Sequence, residues 1–398
     1  MKPFSGFANF LKRTNSTPVY RMGPNYVVQP SPGKGEGVFA RRNLAPGTVI
    51  LSDQATCKIF KPGIHITEND VLEAYQKLNA ADQKRFMGLH ESHRLLSSKL
   101  LRIYKANCFR TNDDGTVLFL EISKFNHSCV PNASKEVEGD VANIVAKKPI
   151  MEGEEISINY NDDFEGLTKF QRMAITKAYF GFECDCSVCS LGPKDQQLSD
   201  WRRKLLLTIS WNLKGMHTPD LSGLDALATM TSQEAEAQEV RRGFDIMPLA
   251  HPLPDQRKMA YWYLKARLLE AEGLVGVDVF TGYWQAYMAL AKQIDACDVK
   301  LRPSLEFLQD LKHQARRVIA DTCGERSRAF RTFKETLDRL RGNESDFALG
   351  AVSHRMSYFD RVQLTFLPSA LSANSSRCIC SCPGKNGRHD NVQHVRRS

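Results

Sequence analysis

The segment ISKFNHSCVPNAS, residues 122–134, is the most informative part of the sequence. It places Asn126, His127, Ser128 and Cys129 in a row, between an apolar run and a Pro-Asn turn. Taken singly, His127 is typical of a hydrogen-bonded structural histidine and Cys129 of a buried thiol. Four polar or metal-capable side chains side by side favour a functional segment instead.

A second informative segment, FECDCSVC, has the spacing CxCxxC. Its cysteines are Cys184, Cys186 and Cys189. Structural zinc prefers four thiolate or imidazole ligands in a closed tetrahedron, so a fourth ligand must come from elsewhere in the chain. Cys129 is our candidate because it already lies in a tight polar turn, and Cys57 and Cys108 remain alternatives. Free thiols or a redox pair are the competing interpretation of the three cysteines.

A glycine-rich turn, PGKGEGVFA, precedes both segments. It contains Gly33, Gly35 and Gly37, which would let the backbone turn tightly and approach a ligand closely. A dinucleotide-binding turn would need a helix directly after the glycines, to place its N-terminus against a pyrophosphate. The sequence continues as VFARRNLAPG, which is strand-like and then turns, so a nucleotide-dependent dehydrogenase is disfavoured.

The run GEEISINY, residues 153–160, predicts a strand with a buried face. Ile156, Ile158 and Tyr160 share that face, because side chains alternate with a period of two along a strand. On propensity alone, Tyr160 would be an ordinary core tyrosine with its hydroxyl hydrogen-bonded.

Between these segments the pattern predicts a mixed, strand-rich domain from residue 25 to residue 190. Short strands are predicted at 26–29, 48–53, 117–122, 141–146 and 155–160. Residues 66–105 have helical periodicity and are predicted to form a helical insert. The overall prediction is an α+β fold.

The remainder of the chain is predicted to be helical between tails. Residues 191–200 read as a connector, and 200–350 as an all-α domain of antiparallel helix pairs without a fixed repeat. The stripes that carry this prediction are Tyr283, Tyr287, Leu290 and Ile294, and Leu305, Leu308 and Leu311, with a capping box at Thr231 and Glu234.

The two ends of the chain are predicted to be disordered tails, residues 1–24 and 367–398. The second tail contains RCICSCPG, with Cys378, Cys380 and Cys382, and His389 or His394 could join them in a second metal site. The cramped spacing of these cysteines leaves plain disorder as the alternative.

Composition limits the class of protein. The chain has 398 residues, 42% hydrophobic and 25% charged, as in ordinary soluble proteins of two or three domains. With no long apolar run and no signal peptide, we expect an intracellular protein of the nucleus or cytoplasm without membrane contact, although basic residues 1–35 leave a transit peptide open.

The net charge of +9 favours acidic partners, nucleosomes included, or simply a basic surface. Direct sequence-specific nucleic-acid binding is not expected.

Taken in order, GKGEGVFA, NHSCVPN, GEEISINY and GFECDCSVC resemble the SET-domain protein lysine methyltransferases that carry a cysteine-rich post-SET segment. The resemblance covers residues 26–190. It is strongest to the SET- and MYND-domain group and related fungal SET proteins, because KANCF at 105–109 precedes the Asn-His-Ser-Cys motif. It implies transfer of a methyl group from S-adenosylmethionine to a lysine of a histone or non-histone protein, with structural Zn²⁺ in the post-SET segment and chromatin among the candidate partners.

The resemblance also implies roles for individual residues. Tyr160 would be catalytic, and Phe180 and Phe182 would line the channel for the substrate lysine. The residues implied to bind S-adenosylmethionine are Lys34, Gly35, Gly37, Asn107, Ser123, Asn126, His127 and Phe182, the last against the adenine. The implied zinc ligands are Cys129, Cys184, Cys186 and Cys189.

The sequence departs from this group in two places. No MYND zinc finger is expected, since Cys57 is the only cysteine before Cys108. Phe180 stands where relatives often carry a second tyrosine, which leaves the number of methyl groups added open. The alternative function is a SET-fold scaffold that binds other proteins and has lost catalysis.

Overall fold

The computed structural model describes residues 23–61, 65–91, 98–111, 115–221, 224, 247–295, 302–323, 331 and 335. The strands in these residues are β1 (Tyr26–Ser31), β2 (Gly35–Ala40), β3 (Val49–Gln54), β4 (Cys57–Ile59), β5 (Cys108–Arg110), β6 (Thr116–Leu118), β7 (Asn126–His127), β8 (Ala133–Glu138), β9 (Val141–Ala146) and β10 (Glu155–Ile158). The helices are α1 (Glu68–Gln76), α2 (Ala80–Met87), α3 (Lys99–Asn107), α4 (Lys169–Ile175), α5 (Pro193–Leu213), α6 (Asp255–Ala271), α7 (Val277–Asp295) and α8 (Arg302–Cys323).

The sheet that organises the molecule has the strand order β1-β2-β10-β7. Strands β1, β2 and β10 are antiparallel neighbours, whereas the short β7 runs parallel to β10. This parallel pairing sets Asn126 opposite Ser157 and His127 opposite Ile158. Two of the motifs, distant along the chain, therefore lie side by side.

Two further three-stranded sheets, β3-β9-β8 and β4-β6-β5, complete the strand-rich part. Apolar side chains of the β1-β2-β10-β7 sheet and of the β3-β9-β8 sheet share one core, in which Val38, Ile144 and Ile156 are fully buried. The predicted α+β fold is confirmed, and the strands predicted at 26–29, 48–53 and 141–146 are present as β1, β3 and β9.

The strand predicted at 117–122 is wrong in its second half. Strand β6 ends at Leu118, and a 3₁₀ turn follows at Ile122–Lys124. The Asp53 carboxylate accepts hydrogen bonds from the backbone N–H groups of Glu121 and Ile122, at 3.0 and 3.2 Å, so these groups cannot join a ladder. The run is apolar because its side chains are buried in two different cores: Val117, Phe119 and Ile122 in one, and Leu118 and Leu120 in the other.

The predicted helical insert is present as α1, α2 and α3. A capping box starts α1: the Thr67 side chain accepts from the Asp70 backbone N–H, and the Asp70 carboxylate accepts from the Thr67 N–H. The insert and the β4-β6-β5 sheet share a second core, in which Phe86, Ile103 and Tyr104 are fully buried.

The predicted connector at 191–200 is wrong, since α5 begins at Pro193. Proline suits the first helical position because its fixed φ matches the helix and no N–H is needed there. The segment is polar because the first turns of α5 face solvent, with Leu198 and Trp201 also exposed.

Helices α6, α7 and α8 pack on one another around a single core, in which α5 also takes part. Every member of the predicted α7 stripe is buried: Tyr283, Tyr287, Leu290 and Ile294. Leu308 and Leu311 of α8 are buried as well. The predicted capping box at Thr231 and Glu234, and the cysteines of the predicted C-terminal tail, lie outside the described residues. Across the described residues, every helix is too short or too polar to span a membrane.

Candidate functional site

The sulfurs of Cys129, Cys184, Cys186 and Cys189 all lie within 4.8 Å of one another. Cys129 Sγ is 3.8 Å from Cys184 Sγ and 3.7 Å from Cys189 Sγ. Four sulfurs held about 2.3 Å from a zinc ion at tetrahedral angles are about 3.8 Å apart, so the spacing fits a tetrathiolate site. It does not fit a disulfide, whose sulfurs are about 2.0 Å apart. The four cysteines could therefore hold a zinc ion.

Of the two rival candidates for the fourth ligand, neither lies at this cluster. Cys57 and Cys108 lie in and beside the core of the helical insert. Burial raises the pKa of each thiol to about 12, so both are neutral thiols at physiological pH.

A fully buried arginine, Arg172 of α4, borders the cysteine cluster. It donates from Nη2 to Cys189 Sγ at 3.5 Å and from Nη1 to the Leu167 carbonyl at 2.5 Å. Hydrogen bonding with the Cys129 and Cys184 thiols lowers the pKa of Cys189 to about 7, and the charge of Arg172 adds to this shift. A tetrathiolate zinc site carries two net negative charges, and one buried guanidinium would offset one of them.

His127 connects the cysteine cluster to Tyr160. Its Nδ1 accepts the backbone N–H of Tyr160 at 3.2 Å, so the ring proton belongs on Nε2. Nε2 lies 3.3 Å from Cys129 Sγ and donates toward that sulfur. Burial lowers the pKa of His127 to about 4, so the ring is neutral at physiological pH. The hydrogen bonds thus fix one tautomer and one orientation.

Aromatic rings surround Tyr160 on several sides. Its ring centroid is 5.2 Å from that of Phe180, 6.2 Å from that of Phe182 and 5.2 Å from that of His127. Phe180 ends a π-helical turn that extends α4, and Gly181, with φ of +73°, turns the chain back toward Phe182. The Tyr160 hydroxyl donates to the Phe125 carbonyl at 2.7 Å, and burial raises the pKa of the phenol. Tyr160 is therefore a neutral phenol with apolar rings around it.

The glycine turn borders this site through Asn126. The Asn126 amide donates to the Glu36 carbonyl at 3.0 Å and to the Glu155 carboxylate at 2.7 Å. A Cβ atom on Gly37 would lie 2.5 Å from Glu155 Oε1 and 2.9 Å from Asn126 Nδ2. Only glycine therefore lets β2 lie this close to these side chains.

Lys34, at the tip of the same turn, reaches the cysteine segment. Its ammonium is 3.1 Å from Asp185, which stands between two of the clustered cysteines, and 3.7 Å from Glu155. Desolvation disfavours the charge, but the hydrogen bond to Asp185 and the charges of Glu155 and Asp185 outweigh it and raise the pKa of Lys34. Gly35, with φ of +79°, occupies a backbone conformation that favours glycine.

The two remaining predicted cofactor residues make local hydrogen bonds. The Asn107 amide donates to the carbonyls of His90 and Ile103, each at 2.8 Å. The Ser123 hydroxyl donates to the Phe119 carbonyl at 2.6 Å. Both side chains fix the backbone before the site, and their implied contacts with a cofactor stay a prediction.

Sequence reasoning missed Arg172 and Phe164. The Phe164 ring is fully buried and packs edge-on against His127, with centroids 5.2 Å apart. Arg172 has one detectable signal, a basic residue in the apolar run FQRMAI shortly before the CxCxxC segment. Phe164 has no local signal, because its partner is far away along the chain.

Comparison with known proteins shows a family match that covers part of this site. A family model described as "SET domain" matches residues 35–161. The chain therefore contains a SET domain. The match begins at Gly35 in the glycine turn, includes the Asn-His-Ser-Cys segment and Tyr160, and ends before Phe180 and the CxCxxC cysteines.

Curated relatives extend the likeness of this SET-domain chain. It is 30% identical to the histone-lysine N-methyltransferase set5 of Schizosaccharomyces pombe, over 46% of this chain and 56% of the relative. It is 25% identical to the N-lysine methyltransferase SMYD2 of Gallus gallus, over 40% of this chain and 38% of the relative. A SET domain-containing protein of Dictyostelium discoideum is 39% identical over 19% of this chain and 18% of its own length. The chain thus spans about half of set5 and less of the others, and the predicted likeness to the SMYD and fungal SET proteins is confirmed.

Proposed function

We propose that this chain is a protein-lysine N-methyltransferase that moves a methyl group from S-adenosylmethionine to a lysine of a histone or non-histone protein. The observation that carries the proposal is the position of Tyr160. It follows strand β10, its backbone N–H donates to His127 of the paired strand β7, and its ring is close to those of Phe180 and Phe182. Two relatives of the chain, a histone-lysine and an N-lysine methyltransferase, support the same activity.

The residues around the glycine turn suit the proposed cofactor. The turn has an open edge, since Cβ atoms on Gly33 and Gly35 would meet nothing within 4 Å. Lys34 and Gly35 on this edge, with Gly37, Asn126 and His127 behind it, would hold the amino-acid and adenosine parts, and Asn107 and Ser123 would support the neighbouring backbone. S-adenosylmethionine supplies an activated sulfonium methyl group, so the chain mainly has to align an amine and exclude water.

The substrate amine must be neutral when it attacks the methyl group. A free lysine has a pKa near 10.4, and an apolar channel lowers that value because it disfavours the charged form. Phe180 and Phe182 would form the walls of this channel. The Tyr160 hydroxyl donates a hydrogen bond to the Phe125 carbonyl, so its oxygen lone pairs can accept a hydrogen bond from the amine. Because burial raises the pKa of Tyr160, it would orient the amine rather than remove its proton.

Zinc at the four-cysteine cluster would have a structural role. It would tie the segment that carries Phe182 to Cys129, and so to the turn after Asn126 and His127. We further propose that the protein acts inside the cell, in the nucleus or cytoplasm, where histones and other lysine-bearing proteins are available.

The activity can be tested by incubating the purified chain with methyl-labelled S-adenosylmethionine and a cell extract, followed by mass spectrometry of labelled proteins. Tyr160→Phe is expected to lose about 100-fold or more in kcat, as when an enzyme loses one well-placed hydrogen-bonding group. Tyr26→Phe is the matched control, because it removes a hydroxyl from a tyrosine of the same core and should keep activity within about twofold.

The scaffold alternative makes a different prediction for the same protein. A ligand present at about 100 times its Kd stabilises the fold by about 2.7 kcal/mol. A chain that gains no thermal stability with S-adenosylmethionine and labels no protein would be a scaffold, and the methyltransferase proposal would then be rejected.

A further inference from the structure

Helix α5 lies against the segment that follows Tyr160. Arg203 donates from Nη1 to the Phe164 carbonyl at 2.9 Å and to the Glu165 carbonyl at 3.4 Å. A Cβ atom on Gly166 would lie 2.9 Å from Cβ of Leu207, so helix and segment are in direct contact. The helical region therefore touches the chain only a few residues beyond the proposed catalytic tyrosine.

The Arg203 side chain is itself held in place by a buried carboxylate. Its Nε donates to Glu272 at 2.8 Å, and both side chains are fully buried. Glu272 also accepts from the Ser199 hydroxyl at 2.6 Å and, at its other oxygen, from Arg202 at 2.5 Å. A buried ion pair adds little net stability, because desolvation of both charges offsets their attraction. Its clearest effect is to fix where the Arg203 guanidinium points.

A short series of contacts connects Arg203 to Tyr160. Arg203 holds the backbone of Phe164, whose ring packs edge-on against His127. His127 accepts a hydrogen bond from the backbone N–H of Tyr160, and its ring packs at a tilt against the Tyr160 ring. Each of these groups is buried or partly buried, so a displaced Phe164 would have to move His127 or leave a void.

We propose that Arg203 is a positioning residue through which the helical region holds Tyr160 in its working orientation. This inference rests on the proposed methyltransferase function. Arg203 acts from outside the site: it fixes Phe164, and Phe164 and His127 fix Tyr160. A shift of about 1 Å in a reacting geometry can cost on the order of 100-fold in rate, so a remote contact can matter for turnover.

Arg203→Lys tests this proposal without leaving Glu272 unpaired. A single ammonium can keep the ion pair but cannot also reproduce the planar fork that reaches both carbonyls. We expect kcat to fall about 10-fold or more, with KM for S-adenosylmethionine within about twofold. Arg202→Lys is the matched control, since Arg202 binds the same carboxylate from its exposed side, and it should retain wild-type turnover.

The same substitution is then made in the Tyr160→Phe background. If Arg203 acts through Tyr160, Arg203→Lys should slow that variant by less than about twofold, because the two effects would not add. An equal loss in both backgrounds would show a general structural effect and overturn the proposal.

Hydrogen exchange provides a readout that needs no activity. In Arg203→Lys, the peptide covering residues 159–166 should exchange faster than in the wild type, and in Arg202→Lys it should not. Unchanged exchange in Arg203→Lys would overturn the proposed positioning. If the wild-type chain lacks methyltransferase activity but this exchange difference is present, the function proposal fails while the contact between helix and segment stands.

Discussion

The core of α6, α7 and α8 and the site around Tyr160 are held together by different kinds of interaction. The helical core is made from apolar stripes that each lie within one helix, such as Tyr283, Tyr287 and Leu290 on successive turns of α7. The site draws on segments around residues 35, 126, 160 and 184, and its buried residues include His127 and Arg172. Burial of apolar stripes holds the helical core together, whereas hydrogen bonds and a cysteine cluster that could bind metal hold the site together.

This contrast explains how each region should fail. A helical core loses stability in proportion to the apolar volume removed, because its free energy comes from burial. The site should respond to the loss of single polar contacts, since each buried donor or charge depends on one or two partners.

The largest effect is expected from metal removal. A strong chelator should lower the free energy of unfolding of the strand-rich part by on the order of 5 kcal/mol or more, since metal binding at such a site contributes directly to folding. Hydrogen exchange should show the peptides around Cys129 and Cys184–Cys189 losing protection while those of α7 keep theirs. A melting temperature that does not move with chelator would count against a structural metal.

The next largest effect is expected in the helical core. Tyr283→Ala removes a fully buried ring and its hydrogen bond to Glu270, and should cost about 3–5 kcal/mol in denaturant unfolding. Trp201→Ala, at a side chain that is 64% exposed, is the control and should cost less than about 0.5 kcal/mol. If metal affinity also fell sharply in Tyr283→Ala, the two regions would not be as separate as described.

Arg172→Met should act on the metal site with little loss of packing volume. Neighbours that donate hydrogen bonds to metal ligands typically change affinity by about 10- to 100-fold, and chelator competition should show a weakening in that range. Lys177→Met, an exposed cation in the following π-helical turn, should bind metal like the wild type. Equal metal affinity in both variants would remove Arg172 from the account.

The smallest effect is expected at the start of the helical insert. Thr67→Ala removes the hydroxyl that accepts a hydrogen bond from the Asp70 backbone N–H, and should cost about 1 kcal/mol of stability. Turnover should be unaffected, because α1 lies in the separate core of the insert. Thermal unfolding and a kcat measurement on the same sample check both statements.

The parts of the fold predicted well are those where local pattern and final environment agree. Strand β9 alternates regularly, and the α7 stripe is buried along its length. The strand prediction at 117–122 was wrong because the apolar side chains of this run are buried in two different cores. Asp53 of strand β3 also accepts a hydrogen bond from the Glu121 backbone N–H, which holds the turn that follows β6. The first turns of α5 were predicted as a connector because exposed polar residues follow a proline there, although this proline begins a helix.

The candidate site was predictable as a set of motifs and only partly as a geometry. Cys129 could be chosen over Cys57 and Cys108 because of its polar turn, and its sulfur does lie at the cluster. The tautomer of His127 and the contact from Arg203 to Phe164 could not be read from the sequence, since each depends on a partner at least 33 residues away along the chain. Local pattern carries no information about such pairs.

The most direct test of the account is the metal content of purified variants, measured by elemental mass spectrometry. Cys129→Ser should lose most of the zinc that the wild type holds at this cluster, while Cys57→Ser and Cys108→Ser keep it. If Cys129→Ser retains the full metal content, or if Cys57→Ser or Cys108→Ser loses it, the four chain segments do not meet at a shared metal as described.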